Sequence, residues 1–149
     1  MNETGRVLLA AAALSLAAIA TLAWRITRTD PGEPDRLIGE LRLAQWAAVL
    51  LAAVGALPIG IAVARLGDAT ANLDAAVGAV LVGLAGIVLQ REPREGLLLL
   101  TAAFVLHALV DLAHRPGWLS TDFAPRWFTA GCATYNVCLA ALCYWGRWR

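Results

Sequence analysis

The sequence predicts an all-α integral membrane protein, a compact antiparallel bundle of five transmembrane helices. First, 60% of its 149 residues are hydrophobic and only 15% are charged, against about 45–50% and about 25% in ordinary soluble domains. Second, the charged residues divide the chain into five apolar stretches near the roughly 20 residues that cross a bilayer. Third, the six tryptophans fall at or beyond the ends of these stretches, at the depth that amphipathic rings prefer.

These stretches define one membrane domain, residues 1–149, and its spans. The first, second and fifth have the length of full spans. The uninterrupted apolar parts of the third and fourth are about 15–16 residues long, roughly 22–24 Å in a helix. They cross only if their ends enter the headgroups or the bilayer thins, and the alternative is a hairpin around residues 91–96 that does not cross fully. The predicted spans are residues 7–24, 43–64, 73–90, 96–113 and 126–146.

The second and third helices carry the clearest local signals. Pro34 is suited to the first turn of a helix and predicts an extension of the second helix toward its start. Leu37, Ile38 and Leu41 would give this extension an apolar face on the membrane surface. The third stretch carries small residues on roughly one face, which suits close helix packing or self-association. These small residues are Ala75, Ala79, Gly83 and Gly86.

The arginines predict the orientation of the bundle. Four of them lie in the N-terminal segment and the second and fourth loops, and eight lie in the first and third loops and the C-terminal segment. Because cytoplasmic loops are enriched in Arg and Lys, we expect the N-terminus outside and the C-terminus in the cytoplasm. The expected location is the cytoplasmic (inner) membrane, with several passes.

One polar constellation interrupts the apolar helices. His107, Asp111 and His114 are spaced i, i+4 and i+7 in the fourth helix and therefore share one face. Ionisable residues within membrane spans are expensive to bury and point to function. Imidazole and carboxylate are ligands for zinc, iron and copper. The sequence predicts a metal site here, and Asp74 at the start of the third helix is expected at a similar depth.

Other residues are expected near this stripe. Trp118, in the fourth loop, either anchors in the headgroups or covers a bound ligand. Tyr135 and Asn136 lie near the middle of the fifth helix, and Asn136 needs an interhelical partner in lipid. Of the three cysteines in this helix, Cys132 is the one considered as a ligand, since their spacing does not suit a disulfide.

The stripe has other interpretations. In one, the polar residues only cap a helix end and bond to each other. In another, Asp111 orients His107 as a catalytic acid–base pair. A haem ligand role is a variant of the metal site.

The functional hypothesis is a small multi-pass membrane protein that binds a metal ion or a small hydrophobic ligand or cofactor in an outward-facing pocket. The first alternative is a structural, accessory or self-associating subunit of a membrane complex. The second is a membrane enzyme that acts on a lipid-soluble substrate. The expected partners are the lipid bilayer and a homo-oligomer or larger complex. The apolar composition and the net charge of +1 exclude a disordered chain and argue against nucleic acid.

Overall fold

A computed structural model of the protein describes residues 3–64, 69–114 and 126–148, and all five elements in these ranges are α-helices. The predicted all-helical class is therefore confirmed. Three of the helices, α1, α2 and α4, are long and apolar enough to cross a membrane, and α3 contains a shorter apolar segment, Asn72–Val88. The helices are α1 (Glu3–Arg28), α2 (Pro34–Ala64), α3 (Ala69–Val88), α4 (Pro93–Ala113) and α5 (Arg126–Trp148).

Proline marks the start of two helices. α2 begins at Pro34 as predicted, and α4 begins at Pro93. Proline suits a first turn because its missing N–H would have no partner there. α4 has 21 residues, so it is longer than its apolar stretch. Its first turn includes Arg94, and its last turn continues past Asp111.

The central helix of the bundle is α2, which contacts all four others. Around it, α1 packs on α5, α5 on α4, and α4 on α3. Consecutive helices run antiparallel: Gly39 of α2 approaches Ile26 of α1, and Gly96 of α4 approaches Val88 of α3. Both of these approaches lie at one end of the bundle, which we call the Arg94 end. The opposite end, where α3 begins and α4 ends, we call the His107 end.

All five helices contribute residues to the core. Its largest side chain, Phe104, is completely buried. Small residues of α2 let the neighbouring helices come close, and leucines fill the remaining space. Fully buried core residues include Leu43, Ala47, Leu51, Leu97, Leu100, Phe104, Leu139 and Cys143.

The closest backbone approach joins α2 and α3 at Gly55 and Gly78. A Cβ atom on Gly55 would lie 2.8 Å from the carbonyl oxygen of Gly78, and a Cβ on Gly78 would meet that of Gly55. No other residue type fits this crossing without moving a backbone. The predicted small-residue face of α3 does not pack within the chain at Gly83 or Gly86, because a Cβ on either residue would have nothing within 4 Å. The buried face of α3 lies beside it and comprises Asp74, Gly78, Leu81, Ala85 and Val88.

Candidate metal centre

The fourth helix brings the first two candidate ligands to the bundle interior. His107 is only 6% exposed. Asp111 lies one helical turn further along, and its Oδ2 is 3.8 Å from His107 Nε2. This separation is too long for a hydrogen bond. The two groups therefore face each other across a gap of the size that separates ligands of a shared ion.

The fifth helix adds a third candidate ligand to this pair. One donor atom each of His107, Asp111 and Cys132 lies within 4.8 Å of the other two, and no other such group occurs in residues 3–64, 69–114 and 126–148. Nitrogen, oxygen and sulfur donors thus converge from α4 and α5. We call this group the His107–Asp111–Cys132 cluster.

The Asn136 amide orients two members of the cluster. Asn136 is completely buried. Its Nδ2 donates to the carbonyl oxygen of Cys132 at 2.9 Å and to Asp111 Oδ2 at 3.3 Å, and lies 3.5 Å from Cys132 Sγ. These contacts fix the Asp111 carboxylate of α4 beside Cys132 of α5. The interhelical partner that the sequence requires for Asn136 is therefore Asp111.

His114 is directed away from the cluster and toward α3. Its Nε2 lies 2.9 Å from Asp74 Oδ1, and its Nδ1 lies 2.8 Å from the carbonyl oxygen of Val110. A carbonyl oxygen only accepts, so Nδ1 carries a proton. The hydrogen bond to Asp74 then needs a second proton, which is held either by the ring or by the carboxyl group.

The four residues predicted as one metal site therefore form two groups. His107 and Asp111 join Cys132, whereas His114 pairs with Asp74. The reason is the helical rise: seven residues at 1.5 Å separate His107 from His114 by roughly 10.5 Å along the axis. One ion with bonds of about 2 Å does not bridge that distance.

A small cavity connects the two groups. Its volume is about 30 Å³, which is enough for one or two waters or for an ion with a water. Both polar groups line it, and α2 supplies apolar wall residues around Pro58. The polar lining consists of Asp74, His107, Asp111, His114 and Cys132.

Two buried polar atoms beside this cavity lack a partner among the described residues. They are His107 Nδ1 and Asn136 Oδ1. Buried polar atoms in proteins are nearly always hydrogen-bonded to protein or to water, and exceptions call for an explanation such as a water or an ion. The side chains at this site therefore leave two polar atoms without a hydrogen-bond partner among the described residues.

No family model, curated protein or solved structure matches this chain.

One further predicted binding residue, Tyr135, lies away from the cavity. The Tyr135 hydroxyl lies 2.8 Å from Ser15 Oγ of α1, and Tyr135 is not among the residues that line the cavity. Trp118 lies outside the described residues. Cys138 and Cys143 of α5 form no disulfide, as the spacing predicted.

Sequence reasoning missed a second polar cluster, the Arg36–Glu40–Arg94 triad, at the Arg94 end. Arg36 and Glu40 are each only 2% exposed. A signal for their burial is present in the sequence. Leu37, Ile38 and Leu41 form an exposed apolar face on the same extension, so the charged residues between them are turned toward the protein.

Proposed function

We propose that this chain is a five-span protein of the cytoplasmic membrane, with its N-terminus outside, that binds a divalent transition metal ion. The three long apolar helices support insertion in a membrane. Five of the tryptophans are 40–69% exposed, as expected of rings that contact headgroups. The distribution of Arg favours an outer location for the His107 end. These tryptophans are Trp24, Trp46, Trp127, Trp145 and Trp148.

The observation that carries the metal proposal is the His107–Asp111–Cys132 cluster, with donor atoms within 4.8 Å. Imidazole, carboxylate and thiolate are all ligands of zinc and of other first-row metals. A neutral His with ionised Asp and Cys carries a charge of −2. A divalent ion would bring the total charge to zero, which suits a buried site because an isolated charge is costly there.

The distances are close to those of a tetrahedral site. Ligand atoms on one zinc ion lie about 3.2–3.8 Å apart, given metal–ligand bonds of about 2.0–2.3 Å. The 3.8 Å between His107 Nε2 and Asp111 Oδ2 fits this range. The remaining pairs are within about 1 Å of this range.

Three protein ligands leave one position of a tetrahedral ion open. Closed structural zinc sites have four protein ligands, whereas catalytic sites keep one for water or substrate. Here the open position would face the cavity that Asp74 and His114 also line. This favours a site that exchanges a ligand with the cavity over one that only stabilises the fold.

The size of the cavity favours an ion over the larger ligands that the sequence leaves open. A drug-sized ligand needs roughly 300 Å³ or more, and a haem is of that size. The cavity between the described residues measures about 30 Å³.

Metal analysis of the purified protein tests the proposal. Protein extracted in detergent, stripped with chelator and reloaded is expected to bind one Zn²⁺ or Co²⁺ per chain. The cobalt form should show thiolate-to-metal charge transfer and the strong visible bands of a four-coordinate ion. Cys132→Ser is expected to abolish the charge-transfer band and to weaken binding at least about tenfold, the effect of about 1.4 kcal/mol.

Cys138→Ser is the matched control, because it changes the same residue type in the same helix without changing the cluster. It should bind metal like the original chain. A protein that neither retains nor gains metal contradicts the proposal. So does a charge-transfer band that survives Cys132→Ser.

A purely structural role is the second candidate, and two contacts favour it. The Asp74–His114 bond links α3 to α4, and the Asn136–Asp111 bond links α4 to α5. In an accessory subunit these contacts would serve only to hold helices together. His107→Leu separates the two functions: it should abolish metal binding under the first proposal and leave assembly intact under the second.

A further inference from the structure

The Arg36–Glu40–Arg94 triad has more positive than negative charge. Glu40 accepts a hydrogen bond from Arg36 Nε at 3.0 Å and one from Arg94 Nε at 3.1 Å. Arg36 is as buried as Glu40, whereas the side chain of Arg94 is 55% exposed. Two guanidinium groups share one carboxylate, so the triad keeps a net charge of +1.

The triad also has an unused donor. Arg36 Nη1 donates to the carbonyl oxygen of Thr29 at 3.3 Å, but Nη2 is buried and has no partner among the described residues. Buried donors are nearly always paired, and a charged one is more costly to leave unpaired. The cluster therefore lacks both a negative charge and a hydrogen-bond acceptor.

A groove of about 760 Å³ lies over the triad. Its walls are the turn between α1 and α2, residues 31–34, and the start of α4, residues 92–94, and all three triad residues line it. This volume is in the range of small-molecule binding sites. Because α2 and α4 both begin at the groove, the positive ends of two helix dipoles are directed at it.

Two further acidic residues, Glu33 and Glu92, also line the groove, so its lining holds three glutamates and two arginines. Glu33 and Glu92 are exposed, so water and salt screen their charges. The Arg94 guanidinium is held in its charged form, because its hydrogen bond and its charge attraction to Glu40 raise its pKa above the usual value. The segments predicted to face the cytoplasm contain eight of the 12 arginines but only six of the 11 acidic residues.

We infer that this groove binds a phosphate-bearing anion, the headgroup of an anionic lipid or free phosphate, through Arg94 and the positive charge of Arg36 beneath it. A guanidinium matches a phosphate with two parallel hydrogen bonds, which makes Arg the preferred residue for this group. Basic pockets between helices on the cytoplasmic side are typical sites for such headgroups. The groove is at the opposite end from the metal cluster, so either proposal can fail without the other.

Lipid titration of the purified full-length chain tests the inference. In detergent, phosphatidylglycerol is expected to raise the unfolding temperature and to remain bound in native mass spectrometry. Zwitterionic phosphatidylcholine, which has the phosphate but no net charge, should do neither. Arg94→Gln is expected to weaken phosphatidylglycerol binding at least about tenfold, which corresponds to one charge-assisted hydrogen bond.

Arg91→Gln is the matched control, since Arg91 is three residues earlier, carries the same charge and, among the described residues, forms its ion pair with exposed Glu95 at 3.5 Å. It should bind the lipid like the original chain. Inorganic phosphate that competes with the lipid and gives the full stabilisation alone identifies free phosphate as the ligand. Phosphatidylglycerol that stabilises the Arg94→Gln protein as strongly as the original, or that stabilises neither, overturns the inference.

A second variant tests the inference if Arg94→Gln does not fold. Arg94→Lys keeps the charge and the attraction to Glu40 but loses the two-pronged geometry. It is expected to bind phosphatidylglycerol more weakly than Arg91→Lys does. Equal binding by these two variants overturns the inference as well.

Discussion

The two polar clusters of this bundle differ in how their charges are balanced. At the His107 end, His107, Asp111 and Cys132 face one another without a direct hydrogen bond between His107 and Asp111. At the Arg94 end, Glu40 is bonded by two guanidinium groups at 3.0 and 3.1 Å. The first cluster has room for an ion between its members. In the second, the charged groups are already hydrogen-bonded to one another, and the excess positive charge faces a groove.

This difference shows that buried polar residues in one small bundle can serve separate purposes. His107 and Asp111, which converge without a hydrogen bond between them, remain available for a ligand. Oppositely charged residues that bond to each other mainly connect helices, here α2 and α4 through Glu40 and Arg94. The clusters should therefore respond differently to substitution.

The largest effect is expected at the centre of the triad. Glu40→Gln keeps the shape of the side chain but leaves the buried Arg36 without its counter-charge. Breaking such a pair from one side destabilises a protein by about 3–5 kcal/mol. The free energy of unfolding in detergent, measured by denaturant titration, checks this.

The exposed pair of Arg91 and Glu95 provides the control. Both side chains are about half exposed, and such surface pairs contribute roughly 0–1 kcal/mol. Glu95→Gln should therefore be nearly neutral. If Glu40→Gln and Glu95→Gln lowered the free energy of unfolding equally, the triad would not hold the helices together.

A smaller effect is expected where α2 and α3 cross. Gly78→Val places a side chain against the backbone of Gly55, and overpacking of this kind costs about 1–3 kcal/mol. Because Asp74 lies one turn before Gly78, the substitution should also disturb the Asp74–His114 bond. Unfolding measurements check the stability, and the chemical shifts of labelled His114 check the bond.

Gly83→Val is the matched control, since a Cβ at Gly83 would meet nothing within 4 Å. It should leave stability within about 0.5 kcal/mol, as surface substitutions usually do. A Gly83 variant as unstable as the Gly78 variant would show that the small-residue face of α3 is packed after all, against another molecule.

The smallest effect is expected at Tyr135, and it tests whether this residue belongs to the proposed metal centre. Tyr135→Phe removes the hydrogen bond to Ser15, which contributes about 0.5–1.5 kcal/mol. Metal stoichiometry and affinity should not change, because the hydroxyl contacts α1 and not the cavity. Calorimetric titration with Zn²⁺ checks this, and weakened binding would place Tyr135 among the functional residues again.

The helical fold could be predicted from the sequence because its hydrophobic residues form long stretches. Long apolar stretches and Pro34 were sufficient for the helices and for the start of α2. The crossing at Gly55 and Gly78 was not predicted, because small residues occur on several faces of α3 and only packing against α2 distinguishes them.

The candidate site was predicted only in part, because local spacing identifies some of its residues and helix packing determines the others. His107 and Asp111 are one turn apart on one helix, so a spacing rule finds them. The partner from α5 depends on how two helices are rotated against each other, and that rotation is a property of the packed bundle. For Glu40 and Arg94, which are 54 residues apart, no local pattern connects the two.

That separation also sets an order of events during synthesis. Ribosomes make α2 long before α4, so Glu40 first has only Arg36 beside it, and this early pair is neutral. Arg94 is made later, and its ion pair with Glu40 then joins α4 to α2. A chain that ended before α4 would therefore leave Glu40 with Arg36 as its partner and without the link to α4.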